Sequence, residues 1–401
     1  MATRRLYYDN AFEKEFSASV LSCEPVQHAN APAWGIVLDA TAFYPTSGGQ
    51  PYDLGRIGEA NVIDVREEGE EILHVVDKPI SEGHMQCCID WPRRFDHMQQ
   101  HTGQHLLSAM FLERFGLPTV SFHLGAEAST IDLRGPEPSE AILEGAERAA
   151  NEIIFEDRPV TVRYGTAQDL ARLGVRKEVE REGILRAIEI ERADLQPCGG
   201  THVQRTGEIG TLLVRRCTKM RQDWRVEFVC GARAERVARQ DFRRLRAAAE
   251  KLDCPPEDLI AAAERAATER DANFKRTRAL LQRLAELESA RALGNSSTTA
   301  GGLRIVHRVF DGVEQEFLGF FAAEIAKSEK SIALLARTGC GHLIFAQHAS
   351  AGKDMNALLR QVLEKIGGKG GGTRDFARGK LNDPTQAEAA LAVARETLAS
   401  Q

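Results

Sequence analysis

His101-Thr-Gly-Gln-His105 is the stretch on which the reading of this chain turns. Two histidines four residues apart lie on one helix face, close enough for both imidazoles to reach one metal ion. The surroundings predict that helix. Met98, Leu106, Ala109, Met110 and Leu112 recur at helical spacing, and no proline interrupts residues 95–114. Downstream, Cys198-Gly-Gly-Thr-His202 supplies a thiolate and a third imidazole, with two glycines allowing a tight turn between them. His101, His105, Cys198 and His202 together form a Cys/His set, the donor chemistry that zinc prefers, and predict one Zn2+ per chain. The plain alternative is a pair of core histidines with an unrelated buried cysteine; it requires two paired ligand motifs to be accidental.

Outward from these motifs, 401 residues provide for two or three domains, each with its own core. The start, Met1-Ala-Thr-Arg-Arg-Leu-Tyr-Tyr-Asp, holds no apolar segment, so no signal peptide is expected. No uninterrupted apolar run is long enough to span a bilayer, so no membrane partner is expected. Eight cysteines with no C-x-x-C, and only Cys87-Cys88 adjacent, do not form a disulfide framework; a reducing cytoplasm is the expected compartment. The net charge of -6 argues against a uniformly basic nucleic-acid protein. Two local clusters run the other way: Arg215, Arg216, Lys219, Arg221 and Arg225, then Arg236, Arg239, Arg243, Arg244 and Arg246. Each either tracks a phosphate backbone or is a solvated face.

The expected fold class is α+β. Residues 1–92 read as a small N-terminal β-barrel-like domain, with short runs such as Trp34-Gly-Ile-Val-Leu and Ile72-Leu-His-Val-Val between turns. Within it lies Asp39-Ala-Thr-Ala-Phe-Tyr-Pro-Thr-Ser-Gly-Gly-Gln-Pro-Tyr-Asp, a hydroxyl-, glycine- and proline-rich loop of the kind that carries binding groups, or else a plain connection. Residues 93–232 alternate helix and strand around the metal motifs. They include a helix capped by Ser139 and a charged helix ahead of Leu195. Residues 233–302 read as a helical linker, divided by Pro255 and Pro256, whose second helix carries an apolar seam of Phe274, Leu280, Leu281, Leu284 and Leu287. Gly294 to Gly302 reads as flexible. Residues 303–401 read as a separate α/β domain. Near its end, Gly367-Gly-Lys-Gly-Gly-Gly-Thr-Arg-Asp-Phe-Ala-Arg-Gly-Lys is not a Walker loop, because Leu381 stands where Ser or Thr is needed. Its exposed backbone N–H groups, with Lys369, Arg374, Arg378 and Lys380, suit phosphates or an RNA end; a flexible surface loop is the alternative.

Taken together these residues resemble the alanyl-tRNA editing family, the AlaX group, which is similar to the editing half of alanyl-tRNA synthetase. The resemblance is carried by Thr41-x-Phe-Tyr-Pro-x-x-Gly-Gly-Gln-Pro, His101-x-x-x-His105, Cys198-Gly-Gly-Thr-His202 and Arg225-Val-Glu-Phe-Val. The run Gly367 to Arg374 looks like the DHHA1 domain, the RNA-associated module of that synthetase. Nearly the whole chain is covered, and nothing ahead of Leu6 provides for an aminoacylation domain, so the long free-standing form is expected. One departure is Ser47, where many relatives have a third glycine. The resemblance implies residues 93–232 as a zinc-binding editing domain and residues 303–401 as DHHA1-like. It further implies hydrolysis of the ester joining a wrong amino acid to tRNA(Ala), serine chiefly and glycine second. Mischarged tRNA(Ala) is the expected partner, and a homodimer through the long helix or C-terminal domain is an allowed assembly. Thr41, Gln104 and His123 are the expected substrate or water contacts, Thr41 as the group that tells serine from alanine; for His123 a structural role is equally open. Lys369, Arg374, Arg378 and Lys380 are the expected tRNA contacts.

Four protein ligands fill a tetrahedral shell, the mark of structural zinc, whereas catalytic zinc keeps a position open. The shell therefore expands with substrate, or one ligand is loosely held, or the metal only positions substrate and water. Two other functions compete: a zinc-stabilised tRNA-binding protein without turnover, and a metal hydrolase acting on an unrelated ester or peptide. The second lacks the Glu that follows the first histidine in H-E-x-x-H.

Overall fold

The computed structural model describes residues 2–176, 182–296, 298–299 and 301–400. The chain divides into two compact units, Met1–Leu245 and Arg246–Gln401. Both mix helices and sheets, so the molecule is α+β.

The first unit begins with six antiparallel strands. Glu15–His28, Ala31–Leu38, Glu71–Val76, Ala60–Glu68, Gly55–Ile57 and Gly83–Ile89 pair in that order, and the last pairs back to the first to close a barrel. Strand periodicity fills it: Phe16, Ala18 and Val20 turn inward while their neighbours stay at the surface. Ile36, Leu38, Phe43, Ile57, Val62 and Ile72 complete the core.

Helix Trp91–Phe115 follows directly. It starts ahead of the expected 95–114 because Asp90 caps it, accepting from the Arg93 N–H, and Pro92 sits in the first turn, where its missing N–H costs nothing. Gly116, at φ 67°, ends it in the left-handed conformation. Every residue from His97 to Phe111 is buried. The helix packs with helix Glu140–Phe155 and the four-stranded antiparallel sheet Leu212–Met220, Asp223–Cys230, Ser129–Arg134 and Thr119–Leu124. Gly103 allows close contact with that sheet: a Cβ there would stand 2.3 Å from Cys230 Sγ.

The charged stretch expected as a helix ahead of Leu195 falls largely outside the described residues; what is described there is a short helix, Ala167–Arg172, and then a strand. Leu185–Ile190 is a strand, the middle member of a sheet with Val160–Gly165 and Asp194–Pro197. Ala187, Ile188 and Ile190 are buried in it, and a sheet partner on each side supplies the backbone hydrogen bonds that a helix would make internally. Residues 177–181 of that charged stretch lie outside the described residues.

In the second unit, helix Leu259–Gly294 runs 36 residues, ~54 Å at 1.5 Å per residue. Ala285, with Leu281, Ala292 and Leu293, packs toward helix Gln315–Ile325 and the sheet beneath it. Of the expected seam, Phe274, Leu280, Leu284 and Leu287 remain exposed. Within the expected flexible stretch after Gly294, Ser297 and Ala300 lie outside the described residues. The sheet runs Arg304–Phe310, Ser331–Arg337, His342–Gln347, Phe376–Leu381 and Gly368–Gly372, its first pair parallel and the rest antiparallel. The glycine-rich run is thus an edge hairpin, not a loop. Its glycines serve packing: a Cβ on Gly370 would lie 2.6 Å from the Arg378 carbonyl and 2.9 Å from Leu363.

Candidate metal centre

The helix presents His101 and His105, and the turn after strand Asp194–Pro197 presents Cys198 and His202. One ligand atom from each lies within 4.8 Å of every other, and the three histidines are buried. Cys198 Sγ stands 3.4 Å from His101 Nε2 and 3.3 Å from His202 Nε2. Each imidazole is held through its other nitrogen. His101 Nδ1 lies 2.8 Å from Gln50 Oε1, His105 Nδ1 3.1 Å from Asp194 Oδ2, and His202 Nδ1 3.1 Å from Thr102 Oγ1. Gln50 Oε1 also accepts from the Thr201 N–H, and Thr102 donates its own proton to the Met98 carbonyl. With Nδ1 donating in all three rings, Nε2 carries a lone pair toward the common centre, the arrangement by which acceptors orient metal-ligating histidines.

The electrostatics agree. Burial alone would raise the Cys198 thiol, yet His101 and His202 hold it well below its usual range. Burial takes His202 down to about 3, with His101 adding to the effect. His105 is opposed by burial but lifted to about 9 by Asp194 and Cys198. Zinc binds thiolate and neutral imidazole; the Cys198 and His202 shifts favour those forms, while the proton that Asp194 and Cys198 hold on His105 would leave as the metal binds, and the donor set fits zinc.

Two arginines fix the frame. Arg186 donates to the Cys198 carbonyl at 2.7 Å and the Gly200 carbonyl at 3.0 Å, pinning the turn. Arg176 pairs with Asp194 Oδ1 at 2.7 Å, behind His105. Gly200 is needed for proximity: a Cβ there would stand 2.3 Å from the His101 ring.

A cleft of about 450 Å³ opens on one side of the cluster. His105, Cys198, Gln104, Gln196, Tyr44 and Phe122 contribute to its wall, with the loop Ser47–Gly49 and Ser121. Phe122 faces the His101 ring at 5.6 Å between centroids. Gln104 lines this cleft. Its amide nitrogen donates to Ser108 Oγ at 2.9 Å, and its amide oxygen is buried without a partner among the described residues.

The structure does not bring Thr41 or His123 into the cleft. Thr41 is fully buried in the barrel unit, its hydroxyl 2.8 Å from His74 Nε2 and accepting from the Phe43 N–H at 3.1 Å. His123 is exposed on strand Thr119–Leu124, where alternation turns it away from the face that Phe122 presents. Sequence reasoning missed Gln50, Asp194, Thr102 and Gln196. Gln196 had a local signal: it stands two residues before Cys198, at the end of the strand that leads into the ligand turn.

In the second unit, Lys369, Arg378 and Lys380 share one sheet face, since Lys369 pairs opposite Lys380 and Arg378 is two residues along. Arg374 lies in the turn of that hairpin and donates to the Gly352 and Lys353 carbonyls. The basic cluster at Arg215 to Arg225 is largely paired: Arg215 with Asp241, Arg216 with Glu227, and Arg225 with Asp132.

Among the described residues no helix is long and apolar enough to cross a membrane. A DHHA1 domain model matches residues 302–400, and the threonyl and alanyl tRNA synthetase second additional domain matches residues 185–225, which hold Cys198 and His202. Alanyl-tRNA editing protein AlaX-L of Pyrococcus horikoshii is 31% identical, over 94% of this chain and 94% of that protein. Alanyl-tRNA editing protein Aarsd1 of Mus musculus is 30% identical, over 98% and 97%. Alanine--tRNA ligase of Pyrococcus abyssi is 31% identical over 97% of this chain but 43% of the ligase. With relatives matched end to end and a histidine–cysteine cluster built into the fold, the chain belongs to the AlaX family of alanyl-tRNA editing proteins.

Proposed function

We propose that this protein is a trans-editing hydrolase of the cytoplasm that deacylates mischarged tRNA(Ala), seryl-tRNA(Ala) chiefly and glycyl-tRNA(Ala) second, at a site holding one zinc ion. The observation that carries the reading is the cluster of three pre-oriented imidazoles and one depressed thiol on the wall of a cleft with room for an aminoacyl group. His101, His105, Cys198 and His202 would hold the metal. Zinc bound there supplies Lewis acidity toward the ester carbonyl and lowers the pKa of a bound water. The chain's own residues do the rest. Gln50, Asp194 and Thr102 keep the imidazoles aligned, Arg186 and Arg176 hold the supporting turn and carboxylate, and Phe122, Tyr44 and the Ser47–Gly49 loop wall the cleft.

The labour is divided along the chain in this reading: residues 1–92 frame the site, 93–232 perform the editing, 233–302 connect, and 303–401 hold tRNA through Lys369, Arg374, Arg378 and Lys380. The deciding experiment is release of serine from Ser-tRNA(Ala), with Ala-tRNA(Ala) as control, together with zinc content. Serine release with about one zinc per chain is expected. Binding of tRNA without any release would leave a zinc-stabilised tRNA-binding protein, and full activity after chelation to zero metal would remove zinc from the reading.

A further inference from the structure

We propose that two glutamine amides read the amino acid in the cleft: Gln104 engages the side-chain hydroxyl of serine, and Gln196 accepts from the α-amino group. This rests on the deacylase reading above and assigns its selectivity. Both side chains line the cleft, and in both the amide oxygen is shielded from solvent with no hydrogen-bond partner among the described residues. Buried polar atoms are nearly always paired, so two orphans in one cleft mark places for ligand atoms.

Gln104 is 3% exposed. Its Nε2 donates to Ser108 Oγ at 2.9 Å, and Ser108 also accepts from the Thr119 hydroxyl at 2.8 Å. That anchor fixes the amide. Turning it over only exchanges the leftover atom: Ser108 then donates to the amide oxygen, and Nε2 is orphaned instead. A hydroxyl both donates and accepts, so it satisfies either arrangement. Gln196 lies on strand Asp194–Pro197, just ahead of the turn that carries Cys198, and both residues line the cleft.

A seryl ester offers what these groups lack: an α-amino group with several N–H donors, and one hydroxyl. An alanyl ester brings the amino group alone. Alanine is smaller than serine, so a steric sieve that admits serine cannot exclude it. Its methyl would instead stand against the Gln104 amide and return no hydrogen bond, which is how polar sites reject an analogue lacking one hydroxyl. Glycine, with no side chain, presses no methyl on that amide, which places it between the two. Depth assigns the roles: Gln104 is enclosed beside Ser108 and Thr119, while Gln196 is half-buried near Cys198, where the ester end must sit.

The test compares tRNA(Ala) charged with serine and with α-aminobutyrate, which has the same shape with a methyl in place of the hydroxyl. Wild-type protein should prefer seryl-tRNA by at least ~10-fold in kcat/KM. Gln104→Leu should remove most of that preference. Gln196→Leu should weaken both substrates by a similar factor, roughly 10-fold, and leave the ratio alone. Binding of the amide analogues 3′-seryl- and 3′-aminobutyrylamino-3′-deoxyadenosine to the full chain, followed by calorimetry, should show the same pattern without turnover. Equal wild-type rates on the two esters, or a ratio unchanged in Gln104→Leu, overturns the inference. If Gln104→Leu does not fold, equal wild-type affinity for the two analogues overturns it. Wild-type protein that releases neither amino acid overturns the deacylase reading, while the analogues still report on the glutamines.

Discussion

Thr41 shows how a single side chain's role depends on its partners. The sequence motif suggested a hydroxyl for substrate, but the fold uses it inside the barrel unit. His74 Nδ1 donates to the Ile36 carbonyl at 3.1 Å, His74 Nε2 accepts from Thr41, and Thr41 accepts from the Phe43 N–H, which closes the circuit around a neutral imidazole. Thr41→Val removes the hydroxyl that satisfies His74 Nε2 and should cost about 1–3 kcal/mol of stability, while the seryl-to-alanyl hydrolysis ratio of the folded protein stays at the wild-type value. Chemical denaturation and paired deacylation rates check the two halves. The same circuit sets a pH dependence. Burial takes His74 down to about 4, against the Ile36 contact that favours its charged form. An unfolded histidine takes up its proton near 6.5, so between the two values the unfolded chain binds a proton that the folded chain refuses. The contribution is therefore intact above pH ~6.5 and is lost as pH falls toward 4, by about 3 kcal/mol over the window. Denaturation of wild-type and His74→Gln protein at pH 7 and 4.5 should show a smaller pH-dependent loss in the variant. An equal loss in both would assign acid sensitivity to other groups.

At the scale of elements, helix Trp91–Phe115 carries the site, and its placement relies on a fully buried ion pair. Arg94 and Asp53 are both 0% exposed; Arg94 Nε lies 3.0 Å from the carboxylate, and the guanidinium also donates to the Ala11 and Ala42 carbonyls. Asp53 in turn accepts from the Tyr44 N–H, so helix and motif loop are fastened at one point. Arg94→Met leaves an uncompensated buried carboxylate and should cost about 3–5 kcal/mol, measurable as a lower denaturation midpoint with less bound zinc. Asp194→Asn should keep the fold and lower zinc affinity by roughly 10–100-fold, read by chelator competition, because His105 loses its charged acceptor. This scale also explains what the sequence revealed. The helix was legible because its apolar spacing, its freedom from proline over residues 95–114 and its ligand pair are all local. The His101–Gln50 and His105–Asp194 contacts join residues 51 and 89 positions apart, and no local pattern encodes them. His123 stands outside the cleft lining for a related reason. A strand of six residues has two faces, and only its tertiary neighbour, here the His101 ring against Phe122, decides which one looks at the site. Leu185–Ile190 owes its strand form to sheet partners on both sides, which no local pattern encodes.

For the whole molecule, the proposed division of labour requires that tRNA affinity reside in the second unit, and the edge hairpin provides a way to separate binding from folding. Lys369 and Lys380 are Cα partners in an antiparallel pair, with Arg378 on the same face and His342 opposite Lys380 on the neighbouring strand. Like charges directly opposite one another destabilise a sheet. Among the described residues, no ion pair within 4.0 Å is formed by Lys369, Arg378 or Lys380. A phosphate backbone would neutralise that face, and a sheet edge made of glycines gives it close access. Lys369→Glu should then move two observables in opposite directions. Facing Lys380, the new carboxylate replaces repulsion with attraction and should leave the second unit as stable as before or more so, by about 0.2–1 kcal/mol. Toward tRNA it removes one positive charge and adds a negative one, so affinity should fall and the slope of log K against log salt should become shallower by roughly one. Calorimetric unfolding and tRNA titration across a salt series measure the two effects on the same protein. A variant whose stability and affinity fall together would mark Lys369 as structural. One whose affinity and salt slope match wild type would place the tRNA contact elsewhere, with Arg236, Arg239 and Arg243 on helix Gly231–Lys251, which form no ion pair within 4.0 Å among the described residues, as the next surface to test.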